Sequence, residues 1–109
     1  MAKSNYPPSI MESGEAKCYL CGTSWKNTGL EIHHAIPGNG NRKICTEWGL
    51  TIHICPKCHR DLHEGSVGYK KIKADAQRAF IKDRMRQGYP EDVCKEMWYE
   101  RFLKFYDYD

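Results

Sequence analysis

Apolar and polar positions follow one another in two rhythms along this chain, and each rhythm predicts an element. Leu30 to Ala35 and Leu50 to Ile54 are short runs, the second rich in β-branched residues, and both predict strands. Between them Pro37-Gly38-Asn39-Gly40-Asn41 reads as a turn or loop, and a short helical piece is expected from Arg42 to Trp48, before Gly49. Pro56 suits the first position of a helix and Gly65 the position just past its end, which predicts a helix from Pro56 to Glu64 of about two turns. After a break at residues 65–68, the spacing of Ile72, Ala76, Ala79, Phe80 and Asp83 predicts a helix from Tyr69 to Gln87 with one mostly apolar face. Pro90-Glu91-Asp92 opens a last helix, with acids in the first turn where the macrodipole favours them. Val93, Met97, Trp98, Phe102 and Phe105 form its stripe, and an aromatic stripe at helical spacing is core.

Strand, loop, strand, helix and two further helices make an α+β chain without internal repeats. Residues 1–16, with Pro7-Pro8 and a Ser/Gly/Glu stretch, read as a flexible arm. Residues 17–66 form the central unit, and residues 67–109 a helical extension packing on it.

A length of 109 residues fits one domain with a thin core. The 40% hydrophobic and 28% charged content is that of a globular chain and argues against disorder. No apolar run is long enough for a membrane span, and the N-terminus lacks the apolar stretch of a secretory signal, so a soluble, cytoplasmic protein is expected. Charge is uneven. Residues 41–86 carry eleven basic and five acidic side chains, whereas residues 87–109 carry three basic and six acidic ones. The middle of the chain is therefore the expected face for a polyanion.

Six cysteines could signal a disulfide scaffold, but their spacing argues for metal. Cys18-x-x-Cys21 and Cys55-x-x-Cys58 are two matched pairs, each able to lend two thiolates from one tight turn to a tetrahedral zinc. Cys45 and Cys94 are left over and read as small buried hydrophobes.

The histidines add a second pattern. His59 and His63 stand four apart on the expected short helix and so share a face, as two ligands of one metal must. His33 and His34 are neighbours on a strand, so their side chains point to opposite sides. One can join a metal while the other faces a substrate beside it. His53, in mid-strand, is given a structural role.

His33-His34, the strand into Cys55, and Cys55-x-x-Cys58-His59-x-x-x-His63 together resemble the HNH, or ββα-metal, endonucleases that carry a four-cysteine zinc knuckle. The likeness covers residues 18–63. The wider layout, with Gly38, Asn41-Arg42-Lys43 and Trp48-Gly49-Leu50, is similar to small HNH-type proteins of bacteriophages and prophages. The resemblance implies a ββα-metal (His-Me finger) core with a structural zinc that links the two cysteine pairs. It also implies a metal-dependent phosphodiesterase acting on DNA to leave a 5′-phosphate and a 3′-hydroxyl. Carried over by position, His34 matches the base that activates water, and His33, His59 and His63 match the ligands of a catalytic divalent metal. Three histidine nitrogens suit Zn, Ni or Mn better than Mg. Glu31 or a backbone carbonyl could orient the histidines.

One position departs from the family pattern. The family's middle asparagine falls at Leu50, nine residues before His59. Asn39 or Asn41 could stand in for it, although ordinary turn chemistry accounts for both. Arg42, Lys43, Arg60, Lys70, Lys71 and Lys73 flank the expected site and are the candidate phosphate contacts, which position a backbone without choosing a sequence. Trp48 is expected to pack rather than to stack on a base. The alternative reading is a non-catalytic zinc module that binds nucleic acid or a phage protein partner. A pure zinc knuckle, however, has no use for His33, His34, His59 and His63 together.

Overall fold

In the computed structural model, residues 8–38, 40–63 and 68–106 are described, with the backbone alone for His63. Strand β1 spans Glu31–His34, helix α1 Asn41–Trp48, strand β2 Thr51–Ile54, helix α2 Pro56–His63, helix α3 Gly68–Arg86 and helix α4 Glu91–Phe102. The strands pair antiparallel, Glu31 opposite Ile54 and His34 opposite Thr51. Both are shorter than the sequence runs suggested. Ala35 N–H still reaches the Leu50 carbonyl at 3.0 Å, but there the chain turns away into the loop and pairing ends.

The β1–β2 connection is set by turn chemistry. Asn41 Nδ2 donates to the Pro37 carbonyl at 2.9 Å, closing the turn that starts α1, so Asn41 does the ordinary work expected of it. Asn39 lies outside the described residues. Gly49 ends α1 with φ 72°. Its N–H reaches the Thr46 carbonyl and that of Leu50 the Cys45 carbonyl, a Schellman-type cap that delivers the chain directly into β2. Leu50, where the resemblance would place an asparagine, is wholly buried hydrocarbon.

The core joins sheet to helices. Ile52, Ile54, Leu62, Ile36 and Leu50 meet Ile72, Ala76, Phe80, Trp98 and Phe102 in one buried cluster. Trp48 stacks on Phe80 with ring centroids 4.5 Å apart, and Trp98 packs on Phe102 at 4.3 Å. Trp98 keeps its indole N–H satisfied on the Lys104 carbonyl at 3.0 Å. Cys45 and Cys94 are fully buried, as their reading as small hydrophobes expected. The aromatic stripe of α4 needs one correction. Leu103 adopts φ 58° and ends the helix, so Phe105 leaves the stripe, stays 41% exposed and leans on Tyr99.

Residues 8–16, expected as part of an arm, lie along β2. Ile10 N–H reaches the Gly49 carbonyl, Ser9 Oγ donates to the Thr51 carbonyl, and Glu12 accepts from both the backbone N–H and Nδ1 of His53. His53 thus has the structural role expected of it. No helix among the described residues is long and apolar enough to cross a membrane.

Candidate metal centre and histidine groove

The cysteine pairs converge on one point. Cys18 and Cys21 sit on a turn closed by Cys18 N–H to Thr23 O and Gly22 N–H to Cys18 O, both 2.8 Å. Cys55 and Cys58 straddle the start of α2, where Pro56 needs no N–H partner. Tyr19 N–H donates to the His53 carbonyl at 2.7 Å and pins the first turn to the end of β2. All four sulfurs lie within 4.8 Å of one another, and Cys21 Sγ stands 3.8 Å from Cys55 Sγ. A tetrahedron with metal–sulfur bonds of about 2.3 Å has edges of about 3.8 Å, so the spacing fits zinc. A disulfide would need sulfurs at about 2.05 Å, and all six cysteines are free thiols.

The local electrostatics explain why such a cluster calls for a cation. Burial pushes the Cys18 thiol up, but the backbone N–H groups of Cys21, Cys55 and Leu20 and the Cys21 thiol outweigh it and bring Cys18 down to about 6. Cys58 is pushed far up by burial and by the neighbouring Cys55, Cys18 and Cys21 sulfurs. Cys21 also rises: the Thr23 backbone favours its thiolate, yet Cys18, burial and Cys55 prevail. One negative sulfur is accommodated readily and the next ones are resisted. A divalent cation removes that resistance and makes four thiolates compatible. Among the described residues this is the only group of three or more His, Cys, Asp or Glu side chains close enough to hold a metal together.

A second feature lies at the end of β1. Ile32, His33, His34, Pro37, Gly38, Arg42, His59 and Tyr69 line a groove of about 320 Å³. The two strand histidines separate as alternation demands. His33 turns toward α2 and α3, its ring 5.6 Å from His59 and 5.5 Å from Tyr69. His34 turns toward α1, its Nε2 2.9 Å from Thr46 Oγ1. Burial, and then the Arg42 charge, hold His34 below the usual histidine range, so it is neutral near pH 7. His59 Nδ1 lies 3.1 Å from Glu31 Oε1. A carboxylate can only accept, so in the neutral ring Nδ1 carries the hydrogen and Nε2 the lone pair that a metal needs.

The structure brings His33, His34, His59 and Arg42 together. The side chain of His63, one turn beyond His59 on α2, lies outside the described residues. Lys43, Arg60 and Lys70 are exposed. Lys71 is exposed too, but it pairs with Asp75 at 2.8 Å and lies over the Tyr19 ring. Lys73 is half-buried over the Tyr69 and Tyr106 rings. Two lining or neighbouring residues, Tyr69 and Thr46, were not singled out in the sequence. A tyrosine at a helix start and a threonine inside one are commonplace, and only tertiary packing distinguishes them here. No known protein family, curated protein or solved structure matches this chain.

Proposed function

We propose that the chain is an HNH-type, ββα-metal endonuclease that hydrolyses phosphodiester bonds in DNA. The observation that carries this reading is the groove, where a neutral His34 on one face of β1 and His33 on the other, against His59 of α2, come together beside Arg42. The zinc knuckle is the scaffold: Cys58 and His59 are consecutive on α2, so clamping the sulfurs fixes the start of the helix that presents His59.

His33 and His59, with His63 from the same helix, would hold one divalent ion, Zn, Ni or Mn in preference to Mg by ligand type. When bound, that ion offsets the charge that builds on the phosphate and the departing oxygen. The rest falls to the chain. Glu31 keeps His59 in the ligating tautomer. Arg42 meets a phosphate oxygen, while Lys43, Arg60, Lys70, Lys71 and Lys73 neutralise flanking phosphates. His34 takes the proton from the attacking water.

The test is plasmid cleavage across Mn, Ni, Zn and Mg, with His34→Ala as the control. Wild type should cut, and His34→Ala should lose about 10²–10⁴-fold in rate while still binding DNA and metal. If wild type and His34→Ala cut equally, or neither cuts with any metal, the groove is not catalytic and a nucleic-acid-binding or partner-binding zinc module takes its place. The cysteine cluster by itself would serve that module equally well.

A further inference from the structure

His34 is anchored from another element. Its Nε2 lies 2.9 Å from the hydroxyl oxygen of Thr46 on α1, and the same hydroxyl lies 3.0 Å from the Arg42 carbonyl, one turn earlier in the helix. A threonine hydroxyl has one proton to give and lone pairs to receive with. The Arg42 carbonyl can only accept, so the Thr46 proton goes to it. Thr46 then offers His34 a lone pair, and Nε2 must supply the hydrogen. A neutral imidazole carries a single hydrogen, so Nδ1 is left as the basic nitrogen.

We propose that Thr46 is the positioning residue for His34: by passing its own proton to the Arg42 carbonyl it selects the Nε2–H tautomer and makes Nδ1 the proton acceptor. The proposal rests on the endonuclease reading of this groove. In the step it serves, Nδ1 takes a proton from water as the water oxygen bonds to phosphorus. The P–O3′ bond breaks, O3′ leaves with the electron pair and takes a proton from solvent, and His34 later returns its proton to solvent. The imidazolium formed in between still donates Nε2–H to Thr46, so the anchor holds throughout. Helix α1 supplies both halves of the device, because residues 42 and 46 are four apart and the threonine reaches back to the carbonyl one turn before it.

The experiment compares the full-length wild type with Thr46→Val, which keeps the shape without the oxygen, and with Thr46→Ser, which keeps the oxygen. Long-range proton–nitrogen correlation on histidine-labelled protein reads the His34 tautomer, with His34→Ala identifying the signal. The Nε2–H form should dominate in wild type and Thr46→Ser and give way to a mixture in Thr46→Val. Cleavage by Thr46→Val should drop about tenfold or more in kcat with little change in KM, and Thr46→Ser should restore it. An Nδ1–H tautomer in wild type, or a Thr46→Val protein with unchanged tautomer or unchanged kcat, would overturn the proposal. A wild type that shows the expected tautomer and its loss in Thr46→Val, yet cuts nothing, supports the anchor and sinks the endonuclease reading instead.

Discussion

Glu31 is exposed at the first position of β1 and would pass for a solvated charge, yet it meets His59 across 28 residues of sequence. If its carboxylate sets the tautomer and aim of that ring, Glu31→Ala should weaken Mn or Ni binding at the histidines about 10- to 100-fold. Titration calorimetry would show this, with the tightly held zinc content unchanged; equal affinities would remove Glu31 from the site. Asp75 governs a different property. Burial alone would raise its carboxyl, but hydrogen bonds from Lys71, Tyr19 and Arg78 win and hold it below 3.8. A carboxylate depressed in the fold stabilises above its unfolded value and loses that contribution as pH falls through the folded one. Asp75→Asn, which removes the charge that Lys71, Tyr19 and Arg78 share, should therefore cost about 1–3 kcal/mol at pH 7. Thermal melts of the two proteins should converge as pH drops below 3.8. At this scale legibility is uneven: the cysteines and histidines announce themselves by spacing and Glu31 by its place beside His33, whereas Thr46 and Tyr69 gain meaning only from neighbours far along the chain.

The elements were largely legible because their punctuation is strong. Gly49, Pro56 and Gly88 fall where helices stop or start, and the expected strands and helices appear with ends shifted by a residue or so. What failed was the end of α4, since nothing local marks Leu103 as the residue that turns left-handed. Gly49 carries two constraints at once. Its φ is 72°, and a Cβ placed there would stand 2.6 Å from the Pro8 carbonyl oxygen. Gly88 has φ 108° but nothing within 4 Å of that Cβ. Gly49→Ala should therefore cost about 1–2 kcal/mol for conformation and more for displacing the segment at Pro8 and Ile10, clearly exceeding Gly88→Ala. Equal denaturation midpoints for the two variants would show that the segment at Pro8 and Ile10 yields freely.

On the scale of the whole molecule, the four-cysteine cluster joins three parts: the turn at Cys18, the end of β2 and the start of α2. Tyr19 extends the joint to α3 through its hydroxyl, 2.7 Å from Asp75 Oδ2. One zinc per chain is expected to survive mild chelation, and Cys55→Ser should unfold much of the protein, because closed four-sulfur sites contribute folding energy directly. Metal analysis beside circular dichroism checks both. A zinc-free protein with its fold intact would show that the cluster is packing alone.

The segment along β2 has a consequence for association. A bare strand edge is a template on which further chains can grow. Here the Thr51 carbonyl is taken by a serine hydroxyl, the His53 N–H by a carboxylate and the His53 carbonyl by a turn amide, so side chains and a loop occupy the places of a third strand. The ribbon is sealed on that flank against runaway pairing, at a position where Glu12 adds a negative charge that would repel a second acidic segment.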